Sequence, residues 1–160
     1  MSKMHLAEGA KLVECMAPAA DAAGRTGDYV SLRDAARVFI VAHITQGNAA
    51  TVALTPYQAT SAAAAGEKVL ASAVRVWSNL DTAASDALVR RTDAANYTTD
   101  AAVKNKIVIF EIDAAALDVS GGFHFVTLKT GASNVANLTQ AMFELEDLRY
   151  SQVTPPTAIA

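Results

Sequence analysis

The sequence predicts an all-β protein, built as an antiparallel β-sandwich or a jelly-roll-like barrel. Three segments support this fold class, because residues 36–58, 106–113 and 121–130 are dense in the β-branched and aromatic residues that favour strands. Turn residues separate these segments. A chain of 160 residues has the size of one domain, which buries roughly two-thirds of its unfolded surface.

The first of these segments predicts a β-hairpin. Its two strand-like runs cover residues 36–45 and 50–58, and Gln46-Gly47-Asn48 between them is typical of a turn. Pro56 has no backbone N–H to donate to a neighbouring strand. The end of the second strand is therefore expected at a sheet edge or a bulge.

Further strands are predicted along the rest of the chain. Residues 74–78 favour a strand through their β-branched content, and residues 106–113 form a strong strand pattern. In the latter, Val108, Phe110 and Ile112 share one face and are the predicted core set. Residues 121–130 follow a turn at Ser120-Gly121-Gly122 and alternate as a strand does.

Residues 135–150 fit two structures. Four apolar residues, Leu138, Met142, Leu145 and Leu148, are roughly at helical spacing, but the segment also fits two short strands interrupted at Glu146-Asp147. We favour strand, because the neighbouring elements are strands and an edge would otherwise stay uncovered. Residues 81–105 are interpreted as a loop, with a short helix over 83–90 as an option.

The expected organisation is an arm, a domain and a tail. Residues 1–27 are predicted to form an N-terminal arm, because residues 17–27 are rich in alanine and glycine. Residues 28–152 form the predicted β-domain. Residues 153–160 are predicted to leave the domain as an extended tail, since Pro155-Pro156 cannot continue a ladder.

Composition argues against several classes of protein. The net charge is −3, from 13 basic and 16 acidic residues without a basic block, which disfavours nucleic-acid binding. Apolar runs are well short of the roughly 20 residues of a membrane span, and the N-terminal residues do not resemble a secretory signal. We therefore expect a soluble protein that binds other proteins. Cys15 is the single cysteine, expected as a buried, reduced thiol.

The chain contains no recognisable catalytic arrangement. His5, His43 and His124 are isolated in the sequence, which makes a zinc site a weak hypothesis. Acidic residues occur at Glu111 and Asp113 and again around Glu144–Asp147, without the loop spacing of a calcium site. We expect no catalytic residue, no cofactor and no metal, and hence no enzyme.

Arginine and large aromatic residues are the best candidates for an interface, because both are enriched where proteins meet. The candidate interface residues are Arg75, Trp77, Arg90, Arg91, Arg149 and Tyr150.

Four segments of the chain carry a resemblance to a known group of proteins. These are residues 29–38 (YVSLRDAARV), 53–59 (ALTPYQA), 74–82 (VRVWSNLDT) with Ser85-Asp86, and 146–152 (EDLRYSQ). Together they resemble small virion proteins of tailed bacteriophages and are similar to head decoration, or cement, proteins. The resemblance covers roughly residues 7–159.

The resemblance implies a location and a partner. Proteins of this kind bind the outside of the assembled head and bridge subunits of the major capsid protein, often as homotrimers. It implies synthesis in the cytoplasm of the host bacterium and a final place on the capsid surface. Two alternatives stay open: a neck or tail protein, such as a terminator or tube component, and a carbohydrate-binding virion module.

Overall fold

The computed structural model describes residues 5–150 and 153–159, which form a single-turn helix, two 3-10 turns and twelve strands. The helix is α1 (Leu6–Gly9), and the 3-10 turns are Ala114–Ala116 and Val119–Gly121. The strands are β1 (Lys11–Ala20), β2 (Arg25–Thr26), β3 (Val30–Ser31), β4 (Ala35–Gln46), β5 (Ala53–Ala59), β6 (Lys68–Val69), β7 (Arg75–Asn79), β8 (Val89–Arg90), β9 (Tyr97–Thr98), β10 (Asn105–Asp113), β11 (Phe125–Thr130) and β12 (Asn137–Leu148).

The strands form two antiparallel sheets. Sheet I has the order β1-β12-β4-β10-β7-β8, and its long central strands β12, β4 and β10 pair along nearly their whole length. Sheet II has the order β2-β11-β5-β6, with β3 paired to β11 and β9 paired to β5. Sheet I is therefore a broad platform, whereas sheet II is a layer of shorter strands.

The hydrophobic core lies between the two sheets. Alternate residues of the long strands point inward, so that Val38, Ile40, Phe110 and Phe143 of sheet I are fully buried. They belong to the same buried cluster as Leu54, Val126 and Leu128 of sheet II. The predicted core set of β10, Val108, Phe110 and Ile112, is confirmed, since all three side chains are 0% exposed.

The architecture confirms the predicted all-β sandwich, and the barrel alternative is wrong. In the described part of the chain, β1 and β8 end sheet I and do not pair with each other, so sheet I stays open. The strands predicted at 74–78 and 106–113 are present as β7 and β10. The strand predicted at 121–130 is β11, which begins only at Phe125 because a 3-10 turn precedes it.

The predicted hairpin over residues 36–58 is wrong, although both of its strands exist. β4 lies in sheet I and β5 in sheet II, so residues 47–52 cross from one sheet to the other. The physical reason is that β10 and β12 occupy both edges of β4. Pro56 pairs with Leu128 of β11 at one edge of β5. At the other edge, β9 pairs with residues 53–54 and β6 pairs with residues 57–58, so neither strand pairs with Pro56. An edge position of this kind tolerates a residue that has no N–H.

The predicted N-terminal arm is wrong for residues 11–20. β1 pairs with β12 as an edge strand of sheet I, with two irregularities in its register. Cys15 and Met16 are buried against the core, and this burial holds an alanine-rich segment in place. Residues 1–4 lie outside the described residues.

The predicted tail does not continue a ladder, but it does not leave the domain either. Ala158 is buried in the core, and its carbonyl accepts a hydrogen bond of 2.7 Å from the Ser31 N–H. The Lys11 ammonium donates to the carbonyls of Pro155, at 3.2 Å, and Pro156. These contacts fold the described residues 153–159 back onto the domain.

The segment with two readings, residues 135–150, forms a strand. β12 continues to Leu148, and Asp147 has a φ of 51° where its pairing with β4 skips a residue. The optional helix over 83–90 is wrong, because that stretch ends in β8, which pairs with β7.

Candidate functional site

The face of sheet I that points away from the core is the most extensive feature outside the core. Strand geometry places alternate residues on opposite faces, and the inward positions are the buried ones. We call the other set the outer face. It consists of Leu12 and Glu14 of β1, Leu138, Gln140, Met142, Glu144 and Glu146 of β12, Arg37, Phe39, Val41, His43 and Thr45 of β4, Ile107, Ile109, Glu111 and Asp113 of β10, Arg75 and Trp77 of β7, and Arg90 of β8.

An apolar row crosses the middle of the outer face. Met142, Val41, Ile109 and Trp77 are direct neighbours across four strands. Met142 is 45% exposed, and the other three are half-buried. None of them belongs to the buried core cluster. The outer face therefore presents a continuous apolar stripe to its surroundings.

Further apolar side chains widen this stripe. Phe39 and Ile107 flank the row on β4 and β10 and are half-buried. Leu12 and Leu138 lie toward the β1 edge and are 50% and 41% exposed. Soluble proteins rarely expose large contiguous apolar patches, and a large patch that is rimmed by polar residues marks a site of interaction.

Ion pairs border the apolar row on one side. The Glu111 carboxylate, largely shielded from solvent, lies 2.8 Å from the Arg75 guanidinium and 3.6 Å from that of Arg37. Arg37 also donates to Asp113 at 2.9 Å, and this hydrogen bond raises the pKa of Arg37. Glu111 and Asp113 are thus held by arginines, as partners of a structural network.

Three predicted interface residues come together at one side of the outer face. Trp77 pairs directly with Arg90, whose guanidinium lies 5.5 Å from the centre of the indole ring. Arg75 is two residues from Trp77 on the same face, and Arg90 also forms an ion pair with Asp93. A tryptophan beneath an arginine is a typical anchor of a protein interface.

The other three predicted residues lie elsewhere. Arg91 turns toward the inner side, where its Nε donates to the buried Ser78 hydroxyl at 2.7 Å. Arg149 and Tyr150 follow β12, and β4 and β10 lie between β12 and β7 in sheet I. The Arg149 N–H donates to the Asp34 carbonyl at 2.8 Å, and Tyr150 lines a small pocket beside the tail. The structure thus divides the six candidates into two groups.

Sequence reasoning missed the central residues of the surface. Val41, Ile109 and Met142 carry the apolar row, yet they were assigned to no site. The signal that could have found them is the apolar character of both alternating sets in residues 36–45 and 106–113, since a strand with one solvated face alternates apolar with polar residues.

Two buried polar clusters have structural roles. The Lys106 ammonium, fully buried, donates to Gln46 Oε1 at 2.8 Å and to Asp100 Oδ1 at 2.6 Å, and its hydrogen bond lowers the pKa of Asp100. The buried Asp21 carboxylate accepts from Thr130 at 2.9 Å and from Thr139. Because Thr130 lies in sheet II and Thr139 in sheet I, Asp21 ties the layers together.

Other predicted chemical groups stay apart. Within residues 5–150 and 153–159, His, Cys, Asp and Glu form no group of three or more that could hold a metal ion. Cys15 is buried and free, as predicted, and burial raises the pKa of its thiol to about 12. Across the same residues, no helix has the length and apolar character to cross a membrane.

Comparisons with known proteins add one likeness in fold. No protein-family model matches the chain, and no curated protein matches it. Among solved structures, the chain is similar to the SPBc2 prophage-derived protein YomS, at 8% sequence identity and a TM-score of 0.48. The likeness covers 85% of this chain and 91% of that one.

Proposed function

We propose that this chain is a structural protein of a tailed-phage particle, and specifically a head decoration protein. In this role it binds the outside of the head and stabilises contacts between subunits of the major capsid protein. The observation that carries the proposal is the outer face of sheet I, which supplies an assembly surface. The phage setting rests on the sequence resemblance.

The outer face has the make-up of a protein interface. Its centre is apolar, with Trp77 and Met142 among its larger side chains, while glutamates and arginines lie around it. Interfaces combine a core depleted in charge with a polar rim, and aromatic, methionine and arginine side chains are enriched in them. A sheet with apolar residues on both faces needs a cover on each side. Sheet II covers one side of sheet I, and assembly would cover the other.

A rigid domain suits such a role. Sheet I is held by long paired strands, and the tail is bound back to β1 and β3 through Lys11 and Ser31. A decoration protein adds weak contacts that are repeated around a closed shell, so a modest contact per copy gives a large total effect. Such a protein needs a fixed shape more than a cleft.

The direct test is binding to heads that lack this protein. We expect saturable binding of the purified chain to expanded heads, followed by a rise in the temperature at which the heads open. Matched heads that already carry the chain, which should neither bind more nor gain stability, are the control. Absence of both binding and stabilisation would contradict the proposal.

Electron microscopy of the purified chain separates the head role from the tail alternative. A terminator or tube protein forms rings or tubes by itself, so such assemblies would favour a neck or tail location. A carbohydrate-binding module would instead give selective signals on a glycan array. A decoration protein should show neither behaviour.

A further inference from the structure

Charge is distributed unevenly across the outer face. On the β1 and β12 side, Glu14, Glu144 and Glu146 project from the face, and no ion pair of theirs occurs in the described part of the chain. On the opposite side, Arg75 and Arg90 project from β7 and β8, where each also pairs with a carboxylate of the same chain, Glu111 and Asp93. The carboxylates without an ion pair thus lie at one end of the apolar row, and the two arginines lie at the other.

This distribution is complementary to itself under one kind of symmetry. When two copies pack face to face, a two-fold axis parallel to the strands reverses the strand order, so β12 lies over β7 of the other copy. Glu144 then approaches the partner's Arg75, and both contacts form at once. An axis across the strands would place β12 over β12 and β7 over β7, so Glu144 would not meet Arg75.

The same axis also matches the apolar groups. With the axis between β4 and β10, Val41 lies over the partner's Ile109, and Met142 lies over the partner's Trp77. Sheets that pack face to face interdigitate such side chains at a spacing of about 10 Å. A methionine sulfur beside an aromatic ring is itself a favourable contact.

The size of the outer face is sufficient for a specific dimer. β4 and β10 pair over nine residues, Arg37–Thr45 with Asn105–Asp113. At about 3.3 Å per residue, and about 4.8 Å for each of four strands, the face measures about 30 by 19 Å. Two copies would then bury about 1,100 Å² in total, which is close to the lower end of stable protein interfaces.

We propose that the outer face of sheet I binds a second copy of this chain, through a two-fold axis roughly parallel to the strands. A second copy would occupy the outer face, so contacts of the dimer with the head would fall to its other surfaces. The inference rests on the proposed function for its biological meaning. It also differs from the homotrimer that the sequence resemblance implies, because an isologous contact closes with two copies.

Light scattering after size-exclusion chromatography tests the stoichiometry. We expect the mass of two chains at tens of micromolar, falling toward one chain on dilution. Ile109→Glu places a charge in the centre of the face, where the residue is only half-buried, so the fold should survive and the dimer should be lost. Asp28→Arg, which changes an exposed carboxylate outside the outer face, should leave the dimer intact.

Charge reversal tests the direction of the axis. Glu144→Arg and Arg75→Glu should each raise the dimer dissociation constant at least about tenfold, and the double variant should recover most of the affinity. An axis across the strands predicts no recovery, because positions 144 and 75 would not face each other. Circular dichroism of each variant checks that the fold is retained.

Several outcomes would overturn the inference. These are a chain that stays monomeric at high concentration, a stable trimer, or a dimer that Ile109→Glu does not affect. A monomer that binds phage heads, and loses this binding in Ile109→Glu, would assign the face to the capsid, so the inference would fail while the proposed function stood. A dimer that does not bind phage heads would support the inference and contradict the proposed function.

Discussion

The inner and outer faces of sheet I are built by the same strands and differ in what covers them. On the inner face, Ile40 and Phe110 are fully buried against sheet II. One position along the same strands, Val41 and Ile109 are half-buried on the outer face. Both sets are apolar, so hydrophobicity alone does not distinguish core from surface here. Within residues 5–150 and 153–159, sheet I is therefore covered by a second sheet on one face only, although both of its faces are apolar.

Removing an inward side chain should have the largest effect on stability. Ile40→Ala deletes fully buried methyl and methylene groups and leaves a cavity, so we expect the free energy of unfolding to fall by about 2–5 kcal/mol. Urea unfolding at low chain concentration measures it. A loss below about 1 kcal/mol would contradict the close packing of the inner face.

Thiol reactivity compares the two faces of β1. Cys15 is 1% exposed, and burial raises the pKa of its thiol to about 12, so little reactive thiolate exists at pH 8. We expect it to react with a disulfide reagent at least about a hundredfold more slowly than a cysteine at the neighbouring exposed position, made as Glu14→Cys in a Cys15→Ala background. In denaturing urea the two thiols should react alike. Equal rates in the native protein would place Cys15 at the surface.

Replacing Lys106, whose ammonium is fully buried, tests the polar cluster on the inner face. Lys106→Met removes one of the two donors to Gln46 Oε1, the other being the Thr99 hydroxyl, and it also removes the partner of the Asp100 carboxylate. We therefore expect a loss of about 1–3 kcal/mol in the free energy of unfolding at pH 7. Lys104→Met is the matched control, because Lys104 pairs with Asp81 at an exposed position, where an ion pair contributes about 0–1 kcal/mol.

Acid should reduce the difference between the wild type and Lys106→Met. The hydrogen bond from Lys106 lowers the pKa of Asp100 in the folded state, relative to about 3.9 in an unfolded chain. The resulting stability is present above about pH 4, and it is lost as the pH falls through the lowered folded value. Unfolding free energies at pH 7 and pH 3 test this. A difference that grows at pH 3 would contradict the assigned cause.

The smallest effect is expected on the outer face. Ile109→Ala removes the same side chain as Ile40→Ala, but from a half-buried position outside the core cluster. At concentrations where the chain is monomeric, we expect a loss of about 1 kcal/mol or less, mainly through strand propensity. Urea unfolding of Ile109→Ala and Ile40→Ala gives the ratio of their losses in the free energy of unfolding. Equal losses would show that the two faces are equally packed within one chain.

Much of the fold could be predicted from the sequence because strands have a local signature. The β-branched runs located β4, β5, β7 and β10, and alternation identified Val108, Phe110 and Ile112 as core. The alanine-rich residues 11–20 carry little such signal, and only their pairing with β12 makes them a strand. The position of the tail was also predicted wrongly. Its proline pair indicates a segment without strand pairing, but no local pattern indicates that Ala158 is buried.

The candidate site was predictable only in part. Residue type pointed to Arg75, Trp77 and Arg90, and the structure places them side by side. Residue type also pointed to Arg91, Arg149 and Tyr150, which the structure places elsewhere, because the side on which a residue projects depends on its pairing. The apolar row joins four strands that are distant in sequence, so no local pattern could have assembled it.

The amino-acid sequence is sufficient to predict the class of fold, the position of most strands and the inward set of β10. These follow from side-chain shape and from the two-residue period of a strand. The folded structure is needed to show which strands are neighbours, that β4 and β5 belong to different sheets, and that one apolar row crosses four strands of sheet I. Strand order depends on contacts between distant segments, and their free energies are not encoded in any short stretch of the chain.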